Sequence, residues 1–411
     1  MDQFKEVYTE KCRDFLCEPI APLVDAIHAA IEKQVVITTI KLNGNSKELF
    51  NKRVEYMQVF ALSEALHEYQ HLTYLDLSYN NLDDAGVATI ARLLRFNKSL
   101  KQLDLEGNNI SPDGAAKITE VLIEEDAAGA GLEVLNMSHN AIGEGGGQAM
   151  AEMLEVNQSL RVLDLGNTEL GMRSLVALAT SLNHHNRSLH YLNVDNPHLQ
   201  SIQEEASLHF TRMLAVNDTL RCLKFAKHSM RDHGCLTMVS YGMVTNCRLT
   251  TLDLRCNALT EEAGAPLARL LTENSILRTL VLASNRLKDN GVAAIAAALP
   301  QNHSLTSLDL SCNSMEEKGL LAVAEGMRFN VSIGVLRLWG NTFAPLSSRA
   351  WFDLLQEKQS VHESLDIDIA PYRVDDHIYV AKEDYHGPKI IPWQQFMLAQ
   401  LQEEEMFPQS H

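Results

Sequence analysis

Residues 72–100, LTYLDLSYNNLDDAGVATIARLLRFNKSL, hold the plan of the chain. Leu72, Leu75 and Leu77 place apolar groups at the alternation of a short strand, and Asn80 follows three residues later, where the chain must turn. Past the turn, Val87, Ile90, Ala91, Leu93 and Leu94 recur at helical spacing and make one apolar stripe. The segment therefore reads as strand, turn and helix. Alone it cannot bury its apolar faces, so it must stack on copies of itself.

Such copies follow. Aligning the turn position gives Asn45, Asn80, Asn108, Asn140, Thr168, Pro197, His228, Asn257, Asn285, Asn313 and Asn341, eleven coils whose commonest step is 28 residues. The pattern L-x-x-L-x-L-x-x-N is the signature of a leucine-rich repeat, and this length leaves room for a full helix in each coil, as in the ribonuclease-inhibitor-like subclass. The expected fold is a single right-handed α/β horseshoe with parallel strands inside and helices outside. Residues 1–34 read as an amino-terminal cap of two helices separated by Pro19 and Pro22. Residues 35–345 form the array, its first helix near Val54 to His67. Residues 346–411 form a carboxy-terminal cap and attachment tail: a helix over Ser347–Gln359, the stretch Leu365–Ile369, a hairpin around Asp375-Asp376, breaks at Gly387-Pro388 and Pro392, and a last helix from Trp393 to Glu405. An insert, Asp126–Gly131, lengthens coil three as a surface bulge.

The eight asparagines, Asn45, Asn80, Asn108, Asn140, Asn257, Asn285, Asn313 and Asn341, are expected to form a buried ladder. Each amide would satisfy turn backbone in its own coil and the next, and an apolar substitute would orphan those groups. Thr168, Pro197 and His228 interrupt the ladder three times in succession. The alternatives here are simple drift, with a kink between Asn193 and Gln203, and a functional irregularity.

Hydrophobic residues at 45% and charged ones at 21% suit a folded, soluble protein. No segment reaches the roughly 20 apolar residues of a membrane span. The opening MDQFKEVYTEKCRDFLCEP carries both charge signs where an export signal would be apolar, and the seven cysteines form an odd set without a CxxC pair, which points to reduced, intracellular use. A formal charge of −18 speaks against sequence-independent nucleic-acid binding and for a basic partner surface. Six N-x-S/T triplets, at Asn97, Asn157, Asn186, Asn217, Asn302 and Asn330, fall in the helix-to-strand turns. We read them as turn residues in left-handed conformation rather than glycan sites. The sixteen histidines include no H-E-x-x-H. Gly143–Gly147 lacks the lysine of a phosphate loop, and there is no nucleophile elbow, so no cofactor, metal or catalytic constellation is expected.

What remains is the sheet. Its solvent-facing column is expected to run Asp76, Asp104, Asn136, Asp164, Asn193, Lys224, Asp253, Val281, Asp309 and Arg337, an acidic stripe broken by Lys224, Arg255 and Arg337, with Tyr74, Tyr191 and Trp339 as aromatic anchors. These are the candidate protein-binding residues. The competing reading is that L-D-L is only the repeat consensus and that partners dock on caps or helices.

Four stretches outside the consensus, Asn167–Thr180, Gln203–Ser207, Lys227-His228 and Tyr372–Ala381, are similar to the leucine-rich repeat-containing protein 34 family, and the resemblance extends over nearly the whole chain up to Lys382. It implies a non-enzymatic subunit of the ciliary or flagellar axoneme, on doublet microtubules or near a radial spoke, found in sperm and germ cells. Its partners would be other axonemal proteins, with no direct nucleic acid, no membrane and no homo-oligomer. The alternatives are a nucleolar ribosome-assembly factor and, through the related repeats of the Ran GTPase-activating protein, a small-GTPase regulator.

Overall fold

The computed structural model describes residues 1–126, 131–199, 204–360 and 365–383, with Trp393, Gln394 and Phe396. Most of the Asp126–Gly131 insert, Gln203, the breaks at Gly387-Pro388 and Pro392, and most of the Trp393–Glu405 helix lie outside the described residues. Two compact units divide after Leu199.

In the first unit, α1 (Asp2–Asp14) and α2 (Ala21–Glu32) precede β1 (Thr39–Lys41). Pro22 sits in the first turn of α2, where a missing N–H costs nothing, so Pro19 alone separates the two helices. Phe4 meets Tyr69 with ring centroids 4.5 Å apart, and Phe15 meets Phe60 edge-on at 4.6 Å, which docks α1 on the first coil. There follow α3 (Tyr56–Leu66), β2 (Tyr74–Asp76), α4 (Asp84–Phe96), β3 (Gln102–Asp104), α5 (Pro112–Asp126), β4 (Val134–Asn136), α6 (Gly143–Val156), β5 (Val162–Asp164), α7 (Met172–His184) and β6 (Tyr191–Asn193). The strands pair in parallel and in chain order, with Ile40, Leu75, Leu103, Leu135, Leu163 and Leu192 in one register. All six are at most 3% exposed, and each such side chain contributes on the order of 1.5–3 kcal/mol.

One coil shows why the pattern folds. Asp83 caps α4 by accepting from the N–H groups of Ala85 and Gly86. The helix buries Val87, Ile90, Ala91, Leu93 and Leu94, and its run stops at Asn97, whose backbone is extended. Before the ladder positions from Asn80 to Pro197 the chain reverses through a left-handed residue: Tyr79, Gly107, His139, Asn167 and Asn196 have φ between 55° and 65°. At Gly107 this conformation is free of strain, and a Cβ there would stand 2.4 Å from the Tyr79 ring.

The second unit repeats the design: α8 (Glu205–Val216), β7 (Cys222–Lys224), α9 (Arg231–Thr237), β8 (Thr251–Asp253), α10 (Gly264–Glu273), β9 (Thr279–Val281), α11 (Lys288–Ala298), β10 (Ser307–Asp309), α12 (Glu317–Phe329), β11 (Val335–Arg337) and α13 (Pro345–Ser360). Here α9 runs on into a π-helical turn at Met238–Met243. A further strand, β12 (Asp366–Ile367), pairs in parallel with β11 and carries the strand order past residue 345. A hairpin follows, β13 (Ile369–Val374) and β14 (His377–Lys382), turning at Asp375-Asp376. No helix among the described residues is long and apolar enough to cross a membrane, and all seven cysteines are free thiols.

Candidate binding surface

The ladder asparagines tie each coil to the one before it, not to the next. Asn108 donates from Nδ2 to the carbonyls of Leu105 in its own coil (2.9 Å) and Leu77 in the preceding one (3.1 Å), while its Oδ1 accepts from Asn80 and Leu82 N–H (2.9 and 3.0 Å). Asn80 and Asn140 make the same backward reach to Leu42 and Leu105. So do Asn257, Asn285, Asn313 and Asn341, to Phe225, Leu254, Leu282 and Leu310. Asn45 does not belong with them. It is exposed, and its N–H donates to Asn43 Oδ1; Asn43 Nδ2 in turn reaches Ser78 Oγ at 2.8 Å. The Thr168 hydroxyl makes one bond, to Leu165 O within its own coil (2.6 Å). The buried His228 ring stacks on Phe225 at 3.5 Å.

A second asparagine ladder runs along the helix-to-strand turns. Asn97 donates to the carbonyls of Leu66 and Tyr69 and accepts from the N–H groups of Ser99 and Leu100. Asn157, Asn186, Asn246, Asn274, Asn302 and Asn330 reach back in the same way. The expected left-handed conformation is wrong here: φ at Asn97, Asn157, Asn217, Asn274, Asn302 and Asn330 lies between −70° and −95°. The side-chain acceptor, not backbone inversion, makes the turn. Asn246 and Asn274 lack a Ser or Thr two residues on, so the triplet search passes over them. Their signal is the 28-residue step.

The acidic stripe is also corrected. Asp76, Asp104, Asn136, Asp164 and Asp253 face away from the core yet are at most 7% exposed. Each carboxylate or amide folds back on its own strand end. Oδ1 accepts from the N–H two residues on, at Ser78 (2.9 Å), Glu106 (3.0 Å), Ser138 (3.0 Å), Gly166 (3.1 Å) and Arg255 (3.1 Å), and Asn193 and Asp309 do the same at Asp195 and Ser311. These are Asx turns, so the consensus aspartate is a turn-former first. Tyr74 and Tyr191, at 9% and 0% exposure, are packed into the sheet face and are not open anchors. Lys41 lies 5.9 Å over the Tyr74 ring, and the Tyr191 hydroxyl donates to Asp164 Oδ2.

Burial sets the charges. It pushes Asp104 up to about 8, helped by the neighbouring Asp76 and Glu106 carboxylates, and its Oδ2 is buried without a hydrogen-bond partner. Burial likewise lifts Asp164 to about 6 and raises Asp76 against the hydrogen bonds from Ser78. Glu106, absent from the predicted set, accepts from the Tyr79 hydroxyl at 2.5 Å. Asp253 goes the other way. Burial would raise it, but the Arg255 guanidinium bound to it and Lys224 Nζ at 3.2 Å outweigh that and hold it below the ordinary carboxylate range.

Lys224, Asp253 and Arg255 are thus brought together on the sheet face of the second unit. Arg337 is spoken for by Asp366 (2.8 Å), and the N–H groups of Leu338 and Trp339 by Asp368 (2.7 and 3.1 Å), so these two positions anchor β12. Trp339 and Asp309 remain half-buried. Among the described residues no three His, Cys, Asp or Glu side chains are placed to hold a metal ion.

The Leucine Rich repeat family model matches seven segments, 70–91, 96–118, 132–151, 156–179, 245–268, 273–296 and 301–324. With the stacked strand-turn-helix coils, these matches give the chain the α/β solenoid fold of leucine-rich repeats. The chain is 33% identical over 105 residues to Leucine-rich repeat-containing protein 34 of Mus musculus, covering 26% of this chain and 25% of that one. It is 27% identical over 265 residues to NACHT, LRR and PYD domains-containing protein 9 of Bos taurus, covering 64% and 25%. The matched part is a quarter of the length of either curated relative, and the first match is far shorter than the near-complete resemblance expected. Among solved structures, the yeast Rad7 and Elc1 complex contains a chain similar at a TM-score of 0.49 and 16% identity, covering 83% of this chain and 88% of that one.

Proposed function

We propose that this protein is a non-catalytic scaffold that holds other proteins in place, and that its setting is the axoneme of cilia or flagella. Leucine-rich-repeat folds are typically binding scaffolds, and repeat proteins of this kind bind other proteins. The observation that carries the scaffold reading is the density of backbone-satisfying side chains: two asparagine ladders and an Asx turn in most coils present a preformed surface that loses little entropy on binding. The axonemal setting is supported by the resemblance in non-consensus stretches and by the 33% match to Leucine-rich repeat-containing protein 34.

A nucleolar assembly factor would hold basic proteins on an acidic stripe. Asp76, Asp104 and Asp164 are buried, with Oδ1 engaged by the N–H groups of their own turns, so a basic partner reaches little of them. Fractionation decides between the readings. Detergent-stripped, salt-washed axonemes are expected to retain the chain at a fixed ratio to tubulin by quantitative mass spectrometry. Its loss to the soluble or nuclear fraction would overturn the axonemal reading, and strong stimulation of GTP turnover in a panel of small GTPases would replace the scaffold reading with a regulatory one.

A further inference from the structure

The strand-and-turn segments of β2 to β5 and those of β7 to β9 carry opposite charge. Tyr74–Asp83, Gln102–Ser111, Val134–Gly143 and Val162–Gly171 contain six carboxylates and no lysine or arginine. In the second unit, Cys222–Arg231, Thr251–Thr260 and Thr279–Lys288 contain six cations, Lys224, Lys227, Arg231, Arg255, Arg286 and Lys288, against the single carboxylate of Asp253. In a chain of formal charge −18 this is a local reversal of sign.

From this we infer that the carboxyl ends of β7, β8 and β9, with the turns that follow them, form a docking surface for an acidic polypeptide segment. Asp253 is 0% exposed and binds both Lys224 Nζ and the Arg255 guanidinium, so two cations are fixed on one buried anion and a net positive charge is held on the sheet. Lys227, Arg231 and Arg286 stand exposed around it. The carboxylates next along the chain are turned to other work. Asp232 accepts from the Thr260 N–H and hydroxyl, both at 2.7 Å. Asp289 accepts from the N–H groups of Glu316 and Gly319 at 2.7 and 2.9 Å. Glu261 is held by Asn290 at 2.9 Å and lies 3.9 Å from Lys288. Glu262 alone stays exposed at the start of the following helical turn.

Size and charge choose the occupant. Neighbouring strands lie about 4.8 Å apart, so the three strands span on the order of 10 Å, the width of one extended peptide with its side chains. Guanidinium and ammonium groups on such a strip match carboxylates spaced along a chain. A nucleic acid would bring a long phosphate backbone against the remaining negative charge, and its affinity rests on neutralising many phosphates at once. The inference uses the scaffold reading only in taking a protein as the partner. It does not depend on the axonemal setting, and the fractionation result stands whichever way the following test falls.

The test is fluorescence anisotropy of labelled decaglutamate with the full chain at low and physiological ionic strength. Binding that weakens with salt is expected, along with an at least tenfold loss for Lys227→Glu/Arg286→Glu and none for Arg349→Glu, with thermal melts checking that all variants fold. Lys227→Ala/Arg286→Ala, which removes charge without adding any, is expected to fall between. Absence of decaglutamate binding at low ionic strength, equal binding by the reversed variant, or tighter binding of a single-stranded oligonucleotide of equal charge would each overturn the inference.

Discussion

Asn108 and Asn45 occupy the same place in their coils and share almost none of their contacts. Removing the Asn108 amide orphans the N–H groups of Asn80 and Leu82 and the carbonyls of Leu77 and Leu105, so Asn108→Ala is expected to cost on the order of 1–3 kcal/mol in a urea melt. Asn45→Ala, at an exposed position, should stay within about 0.5 kcal/mol of the parent. Asp104 gives a pH signature. Its folded affinity for a proton, pushed up to about 8, exceeds that of an unfolded aspartate near 3.8. The fold therefore holds a proton that the unfolded chain releases. That contribution is full below about pH 4 and is lost as the pH rises towards 8. Asp104→Asn keeps the Oδ1 acceptor and removes the titration, so the variant should gain stability relative to the parent in thermal melts at pH 8 and gain little or none near pH 4. The ladder was legible in the sequence because asparagine recurs at a fixed step. The fate of Asp104 was not: alternation tells which side of a strand a residue faces, and not that its own turn and the neighbouring Asn136 will cover it. Tyr191 is misjudged for the same reason.

At the scale of elements, the strand, the turn and the helix were each readable from periodicity, and the amphipathic stripe of α4 is the clearest case. The strand β12 was harder to assign, because two residues without the leucine pattern pair with β11 through an outside support. Asp368 accepts from the N–H groups of both Leu338 and Trp339. We expect Asp368→Ala to destabilise this end by about 1–3 kcal/mol, read as faster hydrogen exchange at Leu338 and Trp339 with little change in β8. Trp351, fully buried on α13 with its indole N–H donating to Leu320 O at 3.2 Å, should hold that helix in place even when β12 frays. The helix-to-strand turns show the limit of motif reading. A glycosylation triplet and a buried turn asparagine share the same letters, and only the 28-residue step tells them apart.

For the whole molecule, stability in a stacked-coil protein is a sum of coils and nearest-neighbour couplings. The amide couplings are interrupted at Thr168, Pro197 and His228, and the compact units divide after Leu199, within that stretch. Urea unfolding followed by fluorescence and by hydrogen exchange is therefore expected to resolve two transitions, one for each unit. Thr168→Asn, which restores an amide able to reach Met137 O, should raise the midpoint of the first-unit transition by an amount equivalent to about 1 kcal/mol. The reversal of charge between the β2–β5 and β7–β9 turns was present in the letters but hidden by a total of −18, since an average over the chain erases a local sign. The two ladders also bear on how the protein ages. Spontaneous loss of ammonia from an asparagine needs its side chain to swing onto the following backbone nitrogen, and these amides are clamped between carbonyls of two coils. Asn274-Ser275 and Asn313-Ser314, labile pairs in a free peptide, are protected for as long as the coil stays closed. Once one converts, the new carboxylate faces carbonyl oxygens that had received an N–H, and the coil cannot close as before. Chemical lifetime is thus set by how often a coil opens, and the first lesion hastens the next.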